Sequence, residues 1–364
     1  MSKKIKVGII GVGNCFAGLV QGIEYYKKNK KEKIIGLMHQ KLGIYNFDDI
    51  EFSSAFDVGK NKVGERLDKA VYASPNLVNW LKVPKSKTVV KEAPVLDGIG
   101  IFVENKINPV KNHAPIGKLE KEIEKEIKKT GTEILVNYLP VGSQKATEFW
   151  AKIALKTKCA FINCIPAFIA SDKKWAKLFE NEKIPIIGDD IKGQIGATIV
   201  HRVLARLCKD RGATIDRTYQ INVGGNSDFL NMKEQGRLES KRISKTEAVT
   251  SQLGQNLNPE NIYIGPSDFI PFLGNKKLAF IRIEGRMFAD IPFSLELRLD
   301  VDDKANSAGI VIDAIRLAKL ALDRKIGGPL ISASAYLMKH PIRQFSDEKA
   351  REMVEQFITG ISLR

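Results

Sequence analysis

The sequence predicts an α/β fold, in which a Rossmann-type, doubly wound parallel sheet carries an inserted α+β domain. Three observations support this prediction. A glycine turn joins the first strand to the first helix, strand-like and helical segments alternate up to about residue 200, and strands predominate from there to about residue 304. The length of 364 residues favours two domains, because single hydrophobic cores usually stop growing at about 250–300 residues.

The first predicted strand is the apolar segment Ile5–Ile10, which is followed by Gly11 and Gly13. Phe16–Tyr26 then shows the spacing of apolar residues that is typical of a helix. Five later segments are predicted strands, most of them continuous apolar runs of the kind found in buried parallel sheets. They are Ile50–Phe56, Gly98–Val103, Ile134–Leu139, Phe161–Ile165 and Ile184–Ile187.

The pattern changes from about His201, where the predicted strands have fewer helices between them. These strands are Gln220–Val223, Ile262–Ile264, Phe280–Ile283 and Leu295–Val301. Such a pattern is typical of an α+β segment whose sheet is more nearly antiparallel.

Two helices are predicted near the C-terminus. Ala308–Arg324 is helical in pattern and is followed by Gly327–Pro329, which contains residues that end helices. A last helix runs from about Ser346 to Gly360. We expect both helices to fold back onto the first domain, which gives one domain of residues 1–200 plus 305–364 and a second of residues 201–304.

The charge of the chain is strongly basic, with 58 Lys and Arg against 42 Asp and Glu, a formal net charge of +16. Such a balance is compatible with nucleic acid, an anionic membrane surface or anionic small molecules as partners. The basic stretches Lys27–Lys33 and Lys118–Lys129 contain no aromatic residues and match no nucleic-acid-binding module. In the second stretch apolar residues recur every four positions, as in an ordinary amphipathic helix. No nucleic-acid partner is therefore predicted.

No apolar run approaches the about 20 residues that span a bilayer, and the chain opens on a strand rather than a signal peptide. We therefore expect a cytoplasmic protein with no membrane partner. The four cysteines and four histidines show no spacing typical of a zinc site or of a disulfide framework. The cysteines are predicted to be reduced thiols, and no metal site is predicted.

The glycine turn at Gly11, Gly13 and Gly18 predicts a dinucleotide site, because such a turn lets a pyrophosphate approach the backbone and the helix N-terminus. Its spacing departs from the standard fingerprint, so that a packing turn is an equally good interpretation of this pattern alone. Asp57 follows the predicted second strand, where an acid normally binds the ribose hydroxyls. An acid at this position favours NAD over NADP, since it would repel a 2′-phosphate.

Six motifs make the prediction more specific. They are Leu139–Ser143 (LPVGS), Asn163–Pro166 (NCIP), Gly188–Lys192 (GDDIK), Asn222–Asp228 (NVGGNSD), Ser240–Lys245 (SKRISK) and Tyr336–Lys339 (YLMK). In type and order these motifs closely resemble those of the myo-inositol-1-phosphate synthase family, also called inositol-3-phosphate synthase, in its shorter prokaryotic form. The resemblance extends over nearly the whole chain.

The resemblance implies an isomerase that converts D-glucose 6-phosphate to 1D-myo-inositol 3-phosphate with NAD. In this reaction a hydride leaves carbon 5, a proton leaves carbon 6, the enolate attacks the aldehyde at carbon 1, and the hydride is returned. Negative charge develops on oxygen in each step, and fixed ammonium groups in a water-poor pocket stabilise such charge better than solvent does. Several lysines are therefore expected in the site.

The motifs also imply which residues form the site. The implied catalytic residues are Lys241, Lys277, Lys339, Asp189 and Asp303, with Lys277 and Lys241 near the carbon 5 oxygen and Lys339 near the aldehyde oxygen. The two acids are expected to pair with the lysines. The implied cofactor-binding residues are Gly11, Gly13, Asn14, Cys15, Asp57, Pro140, Ser143, Asp190 and Lys192. The implied phosphate-binding residues are Asn222, Asn226, Lys245, Gln194 and Thr198.

The resemblance further implies a homotetramer that buries strands of the middle domain between subunits, and it allows a monovalent or divalent cation near the phosphate or the carbon 5 oxygen. Two positions depart from the family pattern, because Gly193 and Lys304 stand where the family generally has serine. Two other functions stay open, an ordinary NAD-dependent dehydrogenase of a phosphorylated substrate and a non-catalytic NAD-binding relative.

Overall fold

The structure, a computed structural model, describes residues 4–29, 34–254, 256–362 and 364 of the chain. Its strands are β1 (Ile5–Ile10), β2 (Lys41–Leu42), β3 (Tyr45–Asn46), β4 (Ile50–Asp57), β5 (Val90–Glu92), β6 (Ile134–Asn137), β7 (Ala160–Asn163), β8 (Pro185–Ile187), β9 (Thr214–Gly224), β10 (Ile262–Phe269), β11 (Lys276–Arg286), β12 (Pro292–Asp302) and β13 (Gly328–Pro329). Its α-helices are α1 (Asn14–Lys28), α2 (Leu67–Ala70), α3 (Glu104–Ile107), α4 (Ile116–Thr130), α5 (Gln144–Thr157), α6 (Lys173–Asn181), α7 (Ala197–Asp210), α8 (Ser227–Asn231), α9 (Glu239–Thr250), α10 (Asp303–Asp323), α11 (Ile331–Leu337) and α12 (Asp347–Thr359). Residues 30–33 of the basic stretch Lys27–Lys33 lie outside the described residues.

Seven strands form one parallel sheet in the order β13-β8-β7-β6-β1-β4-β5. Starting from β5, its first six strands follow the order 3-2-1-4-5-6 that defines a Rossmann sheet. The chain changes its direction of winding between β1 and β6, and ligands of such sheets bind at this point, outside the carboxyl ends of the strands. The predicted fold class is confirmed.

Helices cover both faces of this sheet. Neighbouring strand residues point into different layers, since Val136 packs in the core with α1 and α10, whereas Leu135 packs in the core with α4, α5 and α6. All four residues of β6 and all four of β7 are buried. Burial on both faces explains why these strands are continuous apolar runs in the sequence.

The second sheet has four strands in the order β10-β9-β11-β12. β9 pairs with β10 in parallel, and the pairs β9–β11 and β11–β12 are antiparallel. Helices α7 and α9 pack on one face of this sheet. On the other face, Phe280 lies directly opposite Ile221 and is 38% exposed.

The prediction of a strand at Gly98–Val103 is wrong, because this segment forms loop and turn structure. Its apolar residues do not enter a sheet: Ile101 is 67% exposed, and Gly98 and Ile99 line a cavity instead. The outer strand of the sheet is β5, which pairs with the end of β4. β5 has only three residues, and its middle residue is the exposed Lys91, so it lacks the pattern of a buried strand.

Helix α7 begins before the sequence changes its pattern. It starts at Ala197, contacts β9 and β11 of the second sheet, and contains the predicted domain boundary at residue 200. Helix α10 contacts β6, β7 and β8 of the parallel sheet as well as α1. The division of the chain into two domains stays a prediction.

Among the described residues, no helix combines the length and the apolar character that crossing a lipid bilayer requires.

Candidate active site

The glycine turn after β1 approaches the backbone of the neighbouring strand closely. Gly11 has a φ of +89°, in the region that favours glycine. A Cβ atom at this residue would lie 3.0 Å from the carbonyl oxygen of Tyr138. Gly18 faces α10, where a Cβ atom would lie 3.3 Å from the Cβ of Lys304. The turn therefore needs glycine at Gly11 for its backbone conformation. Within α1, glycine at Gly18 allows close packing against α10.

Asp57 ends β4 directly beside this turn. Its Oδ2 accepts a hydrogen bond of 2.7 Å from the Val12 amide, and its Oδ1 accepts bonds of 2.8 Å from the amides of Val58 and Gly59. The ammonium group of Lys62 lies 3.9 Å from Oδ2. The carboxylate is thus held at the carboxyl end of β4, which lies next to β1 in the parallel sheet. The sequence predicts this position for a ribose-binding acid.

A cavity of about 910 Å³, open to solvent at its mouth, lies over these carboxyl ends, and we call it the glycine-turn cavity. Its lining includes six of the predicted cofactor-binding residues, namely Gly11, Gly13, Asn14, Cys15, Asp57 and Pro140. Ser143 is buried and donates a hydrogen bond to the carbonyl oxygen of Pro140. Asp190 and Lys192, which we also predicted to bind the cofactor, line a second cavity instead.

The second cavity, the lysine cavity, has a volume of about 1000 Å³ including its open mouth. It lies between the two sheets, and its lining includes all four lysines expected in the site. The lysines that line it are Lys192, Lys241, Lys245, Lys277, Lys304 and Lys339, and the acids are Asp190, Asp228 and Asp303. The two cavities adjoin, because Cys15, Tyr138, Leu139 and Asp228 line both of them.

Asp190 is the acid at the centre of the lysine cavity. Its Oδ1 lies 2.9 Å from the Nζ of both Lys241 and Lys339, and its Oδ2 accepts a 2.7 Å hydrogen bond from Ser244. Burial alone would raise the pKa of this carboxyl group, but the two ammonium groups outweigh burial and hold the pKa well below its usual range. Asp190 is therefore a fixed negative charge between two cations.

Two lysines of the cavity, Lys339 and Lys245, lose protons more readily than lysines in water. Burial is the main cause that lowers the pKa of Lys339 to about 8, against the opposing effect of Asp190. Burial, followed by the ammonium groups of Lys277 and Lys241, holds the pKa of Lys245 well below its ordinary value. Groups with such pKa values can donate and accept protons near neutral pH.

The prediction that Asp189 pairs with a lysine is wrong. Its carboxylate accepts hydrogen bonds from the side chain of Asn163, from the amides of Ile169, Ala170 and Ser171, and from the Ser171 hydroxyl. Asp189 is fully buried, away from the cavity, and its neighbour Asp190 forms the lysine pairs. From the sequence, the two adjacent acids of the motif could not be told apart.

Asp303 lies at the boundary between the two cavities. Its carboxylate lies 3.3 Å from the Nζ of Lys277 and 3.1 Å from the Nζ of Lys304. The amide nitrogen of Asn226, the residue that caps the N-terminus of α8, lies 3.5 Å from the same carboxylate. In the sequence Lys304 stands out only as a departure from the family pattern, although a lysine after two acids at the start of an apolar helix is a signal for a buried charge.

The predicted phosphate-binding residues are only partly brought together. Thr198 and Lys245 line the lysine cavity. Asn226 does not line it, but its side-chain amide contacts Asp303, which does. Asn222 lies inside β9, where its amide donates to the carbonyl oxygen of Gly265. Gln194 donates to the carbonyl oxygen of Gly36.

Lys192 and Gly193 show how the loop after β8 is fixed. The Nζ of Lys192 is buried, 3.0 Å from Asp347 and 2.8 Å from the carbonyl oxygen of Ala335. A Cβ atom at Gly193 would lie 2.8 Å from the side-chain nitrogen of Asn306, so that a serine here would require Asn306 to move. Within the described part of the chain, no group of three His, Cys, Asp or Glu residues is arranged to hold a metal ion.

This chain is similar over nearly its whole length to known proteins of one family. A family model described as myo-inositol-1-phosphate synthase matches residues 196–304. An inositol-3-phosphate synthase of Mycolicibacterium smegmatis is 50% identical over 98% of this chain and 98% of its own length. One of Corynebacterium glutamicum is 49% identical over 97% of this chain and 98% of its own length. The crystal structure of a myo-inositol-1-phosphate synthase-related protein from Thermotoga maritima superposes with a TM-score of 0.82 at 26% identity, covering 98% of both chains.

Replacement of Asp190 tests this arrangement of charges. Asp190→Asn leaves two buried ammonium groups without their counter-charge, and we expect it to lower the free energy of unfolding by about 3–5 kcal/mol. Because Asp190 opposes the effect of burial on Lys339, the pKa of Lys339 should also fall. Denaturant unfolding measures the first effect, and NMR titration of the lysine side chains, assigned with Lys339→Arg, measures the second.

Asp216→Asn is the matched control, because it breaks the partly exposed pair with Arg286. This variant should change the stability little. An Asp190→Asn protein as stable as the wild type, with an unchanged Lys339 titration, would contradict the central position assigned to Asp190.

Proposed function

This chain belongs to the inositol-3-phosphate synthase family, and we propose that it converts D-glucose 6-phosphate to 1D-myo-inositol 3-phosphate by NAD-dependent oxidation, enolisation, aldol cyclisation and re-reduction. The observation that carries the proposal is the lysine cavity, in which Lys241, Lys245, Lys277 and Lys339 lie next to the dinucleotide-type turn. An ordinary sugar-phosphate dehydrogenase needs one base, whereas cyclisation develops charge on several oxygens in turn. The collection of cations fits the longer reaction.

The glycine-turn cavity has the features that a bound NAD requires. At Gly13 a Cβ atom would extend into open space, so that glycine leaves the backbone accessible there, and helix α1 begins directly after this residue, which suits a pyrophosphate. Asp57 lies where the ribose hydroxyls of a dinucleotide bind in Rossmann sheets. When bound, NAD supplies the acceptor and later the donor of the hydride. Since the two cavities adjoin, its reactive end would lie beside the lysines.

The lysines have separate roles in the proposed reaction. Lys277 and Lys241 stabilise negative charge on the carbon 5 oxygen, and Lys339 does so at the aldehyde oxygen. With a pKa of about 8, Lys339 can also give a proton to the oxygen formed by aldol closure and recover it from solvent. Asp190 and Asp303 keep Lys241, Lys339 and Lys277 directed into the cavity.

Lys245 has the environment of a phosphate-binding residue. It is 3% exposed, and burial, together with the nearby cations, holds its pKa well below the ordinary value. A phosphate dianion would reverse this effect, because it attracts the ammonium form. Lys245, with Thr198 and Asn226, is therefore our proposed phosphate site, and we expect phosphate binding to be accompanied by proton uptake.

A homotetramer is also part of the proposal. The outer face of the small sheet carries Ile221 and Val223 of β9 opposite Phe280 and Leu278 of β11. None of these four side chains is fully buried, and Tyr263 on the adjacent strand is 52% exposed. An apolar sheet face of this kind commonly forms an interface between subunits.

Lys277→Ala and Lys339→Ala each remove a cation that stabilises a developing oxyanion, and we expect each to lower the turnover at least about 100-fold. NAD affinity should stay nearly unchanged, because neither side chain lines the glycine-turn cavity. The measurement follows inositol phosphate and the absorbance of reduced cofactor after mixing protein, glucose 6-phosphate and NAD.

The exposed Lys174→Ala serves as control and should leave the turnover intact. Product without accumulation of reduced cofactor supports the synthase. Steady accumulation would instead indicate a dehydrogenase, and neither signal would indicate a binding protein without this activity. Full activity of either cavity variant would contradict the proposed site.

Cofactor choice tests Asp57. The wild type should bind NAD at least about tenfold more tightly than NADP, since a repulsion of about 1.4 kcal/mol between the carboxylate and a 2′-phosphate suffices for that ratio. Asp57→Asn removes the charge but keeps an oxygen for the Val12 amide. The preference for NAD over NADP should therefore become smaller in this variant. Calorimetric titration gives both affinities, and equal binding of the two cofactors by the wild type would refute the assignment.

Phe280→Glu places a charge on the outer face of the small sheet, and we expect it to dissociate the tetramer into smaller species because a buried, unpaired charge is costly. Light scattering after size-exclusion chromatography measures the mass. Leu178→Glu is the control, since Leu178 is 47% exposed on α6, which packs on the parallel sheet. A Phe280→Glu protein with the mass of the wild type would show that this face is not the interface.

A further inference from the structure

Lys304 is the most deeply buried ammonium group at the boundary between the two cavities. It is the second residue of α10, directly after Asp303, and is 1% exposed. Its Nζ is bonded to the carboxylates of Asp228 and Asp303 and lies 3.6 Å from the sulfur of Cys15. Of these neighbours, Cys15 and Asp228 line both cavities. The nitrogen therefore lies at the point where the dinucleotide-type turn meets the lysine cavity.

Lys304 stays protonated at physiological pH. Burial alone would lower the pKa of its ammonium group, but the negative charge of Asp228 and the other acidic neighbours outweigh burial and hold that pKa well above its ordinary value. Burial raises the pKa of the Cys15 thiol to about 11, so that the sulfur is neutral at physiological pH. The ammonium group thus faces two carboxylates and one uncharged thiol.

The four charged groups at this boundary balance. Asp228 and Asp303 contribute two negative charges, and Lys304 and Lys277 contribute two positive ones. With a serine in place of Lys304, the same group would carry one net negative charge and an empty volume between the two carboxylates. Such an arrangement would attract a free cation.

A free cation does not fit this place in the present chain. The Oδ2 atoms of Asp228 and Asp303 are already bonded to the Lys304 ammonium, and the Oδ1 atom of Asp303 is bonded to Lys277. Ca²⁺ and Mg²⁺ take about six or more oxygen ligands, and the described residues provide no group of three acidic, histidine or cysteine side chains for these or other metal ions. The cation that the family resemblance allows is therefore at odds with the residues present.

We propose that Lys304 is a built-in replacement for a free cation, which neutralises Asp228 and Asp303, keeps Asp303 positioned against Lys277, and makes the reaction independent of added monovalent and divalent cations. This inference rests on the proposed synthase activity. Lys304 is a positioning residue in this scheme, because it acts on the substrate through Asp303 and Lys277. A purely structural ion pair would contribute to stability but would have no cation-dependent effect on activity.

The wild-type enzyme should form inositol phosphate at the same rate, within about twofold, in chelator-treated tetramethylammonium buffer and after addition of NH₄⁺, K⁺ or Mg²⁺. Lys304→Ser should be slowed about 100-fold in the first buffer. Millimolar NH₄⁺ or K⁺ should restore at least about tenfold of that loss, because either ion can enter the vacated volume. Lys304→Met fills the volume without a charge, so its loss should persist in every buffer.

Lys319→Ser is the matched control on the same helix. Lys319 is also buried and also bonded to two carboxylates, those of Glu133 and Asp323, but it lies outside the lysine cavity. Lys319→Ser should lower the free energy of unfolding, whereas the turnover per folded molecule of this variant should not depend on added cations. Loss of stability alone would therefore be distinguished from loss of the built-in cation.

A binding measurement separates this inference from the proposed function. The melting temperature of Lys304→Ser should rise with NH₄⁺ in a saturable way, relative to tetramethylammonium at equal ionic strength. The wild type and Lys304→Met should show no such rise. A saturable rise or a cation-dependent rate in the wild type, or no rise in Lys304→Ser, would overturn the inference. Absence of inositol phosphate from the wild type under all conditions would refute the synthase, while the melting experiment would still decide the role of Lys304.

Discussion

Concentration of positive charge in a buried space is the constraint on which the rest of this structure depends. Six lysines line one cavity together with three acids, and a buried ammonium group is stable only when a counter-charge lies close to it. Asp190 meets this requirement for Lys241 and Lys339, and Asp303 meets it for Lys277 and Lys304. Burial and the nearby ammonium groups hold the pKa of Lys245 well below its ordinary value, and the excess of lysines over acids prepares the cavity for an anionic substrate.

The two sheets are arranged so that this charge accumulates at the switch point of the Rossmann sheet. Asp190 follows β8, and Lys339 follows α11, which packs against the same sheet. Lys241 and Lys245 come from α9, and Lys277 comes from the start of β11, so that the small sheet supplies the opposite wall. Neither sheet alone holds a complete set of cations and acids. The site therefore exists only when the two sheets are packed together.

Helix α10 links the charged cavity to the core. Its first turn contributes Asp303 and Lys304 to the boundary between the cavities, and its middle turns are buried against α1 and the parallel sheet. Gly18 lets the start of α10 approach α1 closely. Because the same helix fixes the charges and fills the core, a change in its packing would be felt directly at Asp303.

Much of this organisation follows from the sequence itself, and the rest required the tertiary structure. The apolar runs of β1, β6, β7 and β8 predicted the parallel sheet, because strands buried on both faces contain almost only apolar residues. The motif order predicted the family, and the four expected lysines do line one cavity. The roles of the individual site residues remain predictions. Local pattern misjudged Gly98–Val103, where Ile99 lines a cavity and Ile101 is exposed, and it missed β5, which is too short to show a period. Only the folded chain decided that Asp190 rather than Asp189 faces the lysines, and that Lys304 lies between two carboxylates. The direction of a side chain and its charged neighbours depend on residues up to 289 positions apart in the chain, as for Lys304 and Cys15, and no local pattern records such a distance.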